Sequence, residues 1–371
     1  MKATQVLKFT RKRRTKKEMA TSMPEIASAY KVTYHREKLE AYLRNEPILP
    51  VTLELDISTE CNRRCPLCPS TTSHRSSMLS LGFIERLFAR LEGQTRGLLL
   101  SGGEPTLAPI FPATLRLGRE HGFVDIAIVT NGSLLDKERV AAALCAYAST
   151  IRVSIYDWTR ERPADLQPTL RRISALRSRI EREGSKLQIG VSLLTSKKNA
   201  DALHSIVREL AAAGAHWIYF HPMCIRWDTG APERVDQSGV LARIEECQKE
   251  QSDTFQVFTF PDRYTESKIE FSGYHAAHFL LVIGADGMNY LGAEVKYHPQ
   301  YIIADLANHW RDDFLWNRDR LKQIASVNSR TYRAVASRHR GVLYNQVIQD
   351  LINHGERSLD EATTCVFPHI L

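Results

Sequence analysis

Long apolar runs are missing from this chain, which excludes a membrane-spanning helix. Stretches such as Phe279–Ile283 are a fraction of the roughly 20 residues needed to cross a bilayer. The N-terminus has no uninterrupted apolar segment, because Lys2, Lys8 and the basic run from Arg11 enclose Val6 and Leu7. That excludes a secretory signal. Cysteine is scarce: seven are present, an odd number with three crowded together, which is a poor basis for a disulfide framework. No internal repeat or low-complexity tract is present. These absences together lead us to expect a cytoplasmic protein.

What is present fits a large globular chain. The 371 residues are 43% apolar and 25% charged, enough for one big domain with appendages. The net charge of +8 is concentrated at one end, since the first twenty residues hold eight Lys or Arg and one Glu. The run Arg11-Lys12-Arg13-Arg14-Thr15-Lys16-Lys17 has the chemistry to hold phosphates, and equally that of a solvated chain end. No other segment looks like a nucleic-acid footprint, so nucleic acid is not an expected partner.

From residue 51 short β-branched runs alternate with amphipathic stretches. Val51–Ile57, Leu98–Leu100, Val124–Thr130, Ile151–Tyr156, Leu187–Thr195 and His216–His221 read as strands. Phe83–Leu91, Lys137–Tyr147, Leu170–Glu183 and Ala200–Ala213 read as helices, with Gly184 and Gly214 where C-caps belong. Six such units predict an α/β fold, a partial (β/α)6 TIM-like barrel left open, with its site at the C-terminal ends of the strands. Residues 1–50 then form an N-terminal extension and 51–225 the barrel. Residues 226–371 form a small α+β cap, with a polar connector over Asp228–Asp253 and a hairpin, Phe279–Ile283 and Met288–Leu291, about the turn Ala285-Asp286-Gly287.

Chemistry concentrates after the first strand. Cys61, Cys65 and Cys68 fall within eight residues, close enough to bind one metal centre. Structural zinc closes its shell with four ligands, and here His74 is the nearest candidate. Three thiolates also suit a four-iron cluster with one iron left open. A zinc-bearing, nucleic-acid-binding protein stays possible at this point. Ser101-Gly102-Gly103-Glu104-Pro105 follows the second strand, and its glycines permit close backbone approach.

The segment Cys61-Asn62-Arg63-Arg64-Cys65-Pro66-Leu67-Cys68, with Gly102-Gly103-Glu104 at the expected strand, resembles the radical S-adenosylmethionine (SAM) superfamily over roughly residues 50–225. The resemblance implies a [4Fe-4S] cluster on the three cysteines, Leu67 packed beside it, and the Gly-Gly-Glu stretch on the methionyl amino group of SAM. It also implies that Asn131 and Ser154 touch the SAM ribose or carboxylate, and that Ile189–Leu193 walls the adenine. The residues from His278 to Leu291 are similar to the start of a SPASM or twitch extension. Its auxiliary-cluster cysteines are replaced here, with Gly292 and Ala293 where one would follow the hairpin. The resemblance therefore implies one cluster and a redox-neutral outcome: epimerisation, rearrangement or elimination. Cys224 and Cys365 are candidate hydrogen donors, while Cys145 and Cys247 read as helix residues. The expected function is reductive cleavage of SAM to a 5′-deoxyadenosyl radical, which abstracts hydrogen from a small polar metabolite of sugar or nucleotide type. A ribosomally made peptide is the alternative substrate, and a flavodoxin or ferredoxin the expected electron donor.

Overall fold

The computed structural model describes residues 29–65, 68, 76–155, 166–225, 233–234, 236–260, 264, 270–332, 340–354 and 366–371. The basic N-terminal run, Leu67, His74 and Cys365 lie outside them. Among the described residues no helix is long and apolar enough to cross a membrane.

The strands are β1 (Thr52–Asp56), β2 (Gly97–Ser101), β3 (Asp125–Thr130), β4 (Thr150–Ile155), β5 (Gln188–Thr195) and β6 (Trp217–Pro222). A two-stranded hairpin follows, β7 (Cys224–Ile225) and β8 (Glu233–Arg234), and then β9 (Gln256–Phe258), β10 (Leu280–Ile283), β11 (Met288–Tyr290) and β12 (Ile302–Asp305). Strands β1 to β6 are parallel neighbours in chain order, as right-handed crossover units require. The sheet continues beyond them on both sides. β9 adds parallel to β6, and β10 adds parallel to β1, carrying β11 and β12 with it. The result is one ten-stranded open sheet, ending at β12 and β9, which do not meet.

Two differences from the sequence pattern have local causes. The segment read as a polar connector contains a helix, Val240–Cys247, whose buried Val240, Ile244 and Cys247 are too few to outweigh its surrounding charges in a hydropathy reading. Phe111–Glu120 is also a helix, although Pro112 and Gly118 lower its propensity. Pro112 occupies the first turn, where no N–H is needed. Gly118 lets the helix lie close on the sheet, since a Cβ there would meet Leu98 Cδ2 at 3.0 Å and Ile126 Cδ1 at 3.1 Å. Elsewhere the signals hold. Ser80 Oγ accepts the Phe83 N–H at 3.2 Å to start helix Leu81–Leu91, and Gly184 and Gly214 have φ of 62° and 91°.

Period-two alternation sorts the strands into two faces. Leu53 and Leu55, Leu98 and Leu100, Ile151 and Val153, and Ile218 and Phe220 belong to the main apolar core beneath the helices. Their neighbours face the concave side, which carries Glu54, Asp56, Ser101, Arg152, Ser154 and His221 beside the apolar Leu99, Ala127 and Trp217. The N-terminal ends of β1 and β2 are sealed by the final residues. Thr52 Oγ1 donates to His369 O at 2.5 Å and accepts from Leu371 N at 3.0 Å, and Lys31 Nζ donates to Ile370 O at 2.7 Å. The concave side is thus covered where β1 and β2 begin, and the cysteine loop leaves β1 at the opposite end.

Candidate metal and cofactor site

β1 ends at Asp56, and the chain runs through Ser58, Thr59 and Glu60 to Cys61. That short link is pinned to the turn after β2. Gly103 N–H donates to Ser58 O at 2.9 Å and Glu104 N–H to Glu60 O at 2.7 Å. A Cβ on Gly102 would come 2.3 Å from Ser58 O, and one on Gly103 would come 2.2 Å from Glu60 O. Both distances are impossible for a real side chain. The two glycines are therefore required first by the root of the cysteine loop, which lies directly against them. Gly102 has φ of 126°, a further reason for glycine.

Glu104 differs from the sequence expectation. The resemblance implies that the Gly-Gly-Glu stretch meets the methionyl amino group of SAM, yet the Glu104 side chain is fully buried, at 0% exposure. Oε1 accepts from Thr106 N, Thr106 Oγ1 and Thr130 Oγ1, the last at 2.7 Å, and Oε2 accepts from Asn131 N at 2.6 Å. The side chain ties the end of β2 to the end of β3, and the edge left for a ligand at this turn is its backbone. Thr106 and Thr130 had no motif to announce them.

Asn131 sits at the centre of this cluster. Its Nδ2 lies 2.8 Å from Asn62 Oδ1 and 3.8 Å from Cys61 Sγ, and its Oδ1 accepts the Ser133 N–H at 2.9 Å. Burial pushes the Cys61 thiol above its ordinary range, and the nearby Glu104 and Cys68 charges add to that, against the Arg63 N–H and the Asn131 amide. The structure thus brings Cys61, Cys68, Gly102–Glu104 and Asn131 to one end of the sheet. Ser154 lies on the concave face of β4, in register with Ser192 on β5. Ile189–Leu193 differs in one respect from an adenine wall: a Cβ on Gly190 would fall 2.0 Å from the Trp217 ring, so the indole already covers that residue.

On the wall formed by β1, a buried charge cluster went unread in the sequence. Lys296 Nζ lies 2.9 Å from Glu54 Oε1 and 2.7 Å from Asp56 Oδ1, and Tyr297 OH donates to Asp56 Oδ2 at 2.7 Å. Burial alone would lower the Lys296 pKa, but Asp56 and Glu54 overcome it and hold the ammonium charged. Tyr297 has φ of 66°, a left-handed backbone that is costly for a bulky residue. That conformation lets two consecutive side chains reach the two oxygens of one carboxylate. The signal that could have found the cluster is Leu53-Glu54-Leu55-Asp56, two acids alternating with leucine in a buried strand.

The donor set suits an iron–sulfur cluster. Three soft thiolates sit on one loop, two of them near enough to influence each other, and no disulfide engages them. Among the described residues no three His, Cys, Asp or Glu side chains already stand together as a metal cage. The fit therefore rests on the thiolate chemistry and on the anchored loop root.

Comparison with known proteins points the same way. Residues 55–190 match the family model described as the Radical SAM superfamily. A probable GTP 3′,8-cyclase of Metallosphaera sedula is 28% identical over 182 residues, 46% of this chain and 56% of that protein. A 7,8-dihydro-6-hydroxymethylpterin dimethyltransferase of Methanocaldococcus jannaschii is 27% identical over 93 residues, 24% of this chain and 18% of that one. The chain thus spans about half or less of the length of these curated relatives. Among solved structures, Streptococcus suis SuiB bound to S-adenosylmethionine superposes with a TM-score of 0.60 at 14% identity, covering 80% of this chain and 73% of SuiB. SuiB bound to the precursor peptide SuiA gives a TM-score of 0.55 at 16% identity, over 81% and 74%. At these identities the likeness is one of fold.

Proposed function

As the chain belongs to the radical SAM superfamily, an enzyme class whose cofactors are a [4Fe-4S] cluster and SAM, we propose that Cys61, Cys65 and Cys68 hold the cluster. In the same proposal the backbone of Gly102–Glu104, with Asn131 and Ser154, receives SAM. When bound, the cluster supplies one electron and SAM supplies the 5′-deoxyadenosyl group that takes a hydrogen from substrate. This chain's own residues do the positioning. The Gly103–Ser58 and Glu104–Asn131 hydrogen bonds hold the cysteine-loop root, the glycine turn and the end of β3 together. That juxtaposition is the observation that carries the reading. His369 and Leu371 cover the N-terminal end of β1, away from the cysteine loop, and would keep water from entering the concave side there.

For the substrate we favour a small polar metabolite, of sugar or nucleotide type, and a redox-neutral outcome. The GTP cyclase named among the sequence relatives supports the first part. The scarcity of cysteine after residue 226, only Cys247 and Cys365, supports the second, since it leaves little to ligate an auxiliary cluster. A peptide substrate is the second reading, supported by the fold shared with SuiB and its precursor peptide. Residues 226–371 act in either case as a twitch-like cap, and a flavodoxin- or ferredoxin-type protein supplies electrons. The test is anaerobic reconstitution with iron and sulfide, then dithionite and SAM. Wild type should release 5′-deoxyadenosine and Cys65→Ala none. An iron-loaded wild type that releases none would overturn the proposal.

A further inference from the structure

Seven buried side-chain polar atoms among the described residues have no hydrogen-bond partner. Three of them, His121 Nδ1, Arg172 Nε and Arg179 Nε, face carboxylates of Glu92, Asp136 and Glu183. Of the other four, Arg152 Nε, Trp217 Nε1 and Gln256 Oε1 share one row of the sheet. Arg152 pairs with Gly190, Gly190 with Trp217, and Trp217 with Gln256, across β4, β5, β6 and β9. Their neighbours Ile151, Ile189, Ile218 and Val257 all lie in the helix-covered core, so the row faces the concave side.

The row is built to bring these atoms near one another. Gly190 has no side chain, and the Trp217 indole lies across it, with Cε2, the atom bonded to Nε1, only 2.1 Å from where a Cβ would stand. The indole N–H is thereby carried from β6 toward β4, about one strand spacing from Arg152. The Arg152 guanidinium rests over the Tyr219 ring, 5.7 Å from its centroid, and Arg152 keeps partial exposure. A buried polar atom without a hydrogen-bond partner carries its full desolvation penalty, and two donors and one acceptor of this kind in one row mark a surface whose partner is a ligand.

We infer that this row is the substrate subsite, and that it takes an oxyanion, a phosphate or carboxylate, on a small molecule that also carries a hydroxyl or amino group. Arg152 and the Trp217 N–H receive the oxyanion, and Gln256 Oε1 accepts from the hydroxyl or amino group. Arg152 moves off Tyr219 to make the contact, because its Nε is covered in the ligand-free arrangement. Along β4 it lies two residues, about 7 Å, further from the strand's C-terminal end than Ser154. That places the oxyanion below SAM and makes it part of the substrate. The inference rests on the proposed function and narrows its substrate class.

The test uses the reconstituted full-length protein with SAM present, titrated calorimetrically with inorganic phosphate and separately with acetate. Wild type should bind one of the two saturably, and which one identifies the oxyanion. Arg152→Gln should weaken that binding at least tenfold, and by at least tenfold more than it weakens SAM. Trp217→Phe, which keeps a ring and removes the N–H, should weaken the anion at least threefold and serves if the first variant does not fold. Binding of neither anion, unchanged affinity in both variants, or an equal loss of SAM affinity in Arg152→Gln would each overturn the subsite. A wild type unable to form 5′-deoxyadenosine would instead fail the proposed function, in a separate assay.

Discussion

Lys296 and Asp56 form a buried ion pair of 2.7 Å that joins the loop after β11 to the last residue of the strand from which the cysteine loop departs. Asp56 is 0% exposed, so its charge is answered almost wholly by Lys296 and the adjacent Tyr297. Lys296→Met removes the cation that the buried Asp56 carboxylate faces and that Glu54 shares. The expected cost is about 3 to 5 kcal/mol, the range for breaking a buried pair. Replacing Glu54, Asp56 and Lys296 together by apolar residues should cost less than the single change. Urea unfolding of both variants measures this, and a loss below about 1 kcal/mol for Lys296→Met would sink the assignment.

Glu104→Gln should act through the fold. Four donors converge on this carboxylate, and an amide presents one of them with an NH2 group instead. At about 1.5 to 3 kcal/mol for a hydrogen bond to a charged group, the cluster-free protein loses roughly that much stability. Loading of iron falls as well, since the same side chain holds Asn131 beside Cys61. Thermal unfolding before and after reconstitution tests it. A variant as stable as wild type but impaired only in SAM binding would show that the carboxylate turns outward in the working enzyme.

Cys65→Ala should abolish iron loading and leave the fold intact, because Cys65 is a loop residue outside every helix and strand. Wild type should take up about four irons and four sulfides. The checks are iron and sulfide assays beside a far-ultraviolet circular dichroism spectrum. Full iron content in the variant would remove Cys65 from the ligand set.

His278 makes stability depend on acid. Burial, followed by the charges of Arg320 and His275, lowers its pKa from 6.5 to about 3, and Tyr42 packs on its ring at 4.9 Å. The folded protein keeps this imidazole neutral where the unfolded chain protonates it. Its contribution is therefore present above about pH 6.5 and is lost as the pH falls toward 3. Between pH 7 and pH 5 wild type should lose about 2 kcal/mol more than His278→Gln does, at about 1.4 kcal/mol per pKa unit. Parallel urea titrations at the two pH values decide it, and equal losses would contradict the burial of His278.

The sequence was most informative where one residue type has one local meaning. Gly184 and Gly214 end helices, the six alternating runs are six parallel strands, and Ala285-Asp286-Gly287 turns the chain from β10 to β11. The cysteine and glycine motifs were legible, but not the packing of Ser58 and Glu60 on Gly102 and Gly103, because contact between loops leaves no periodicity. Glu104 was misjudged for the same reason: its partners Thr106 and Thr130 are ordinary residues until the fold brings them within reach. Lys296 and Arg152 were unread because their significance lies in what stands across the sheet. The placement of β10 beside β1 depends on pairing between segments far apart in the chain, which composition does not encode.

That pairing has a consequence for the protein while it is being made. As the ribosome delivers residues 52 to 222, strands β1 to β6 can dock in order, each beside the one before it. The free side of β1, from Thr52 to Leu55, has no partner until Leu280 to Ile283 emerge. During that interval the nascent sheet presents an open, apolar edge on which another chain can pair. Glu54 and Asp56 stand on that same strand, and Lys296, which pairs with both in the finished protein, has by then not been made. Like charges set directly opposite one another across a strand pair are destabilising, so two acids on this waiting strand disfavour its pairing with an identical strand from a second nascent chain.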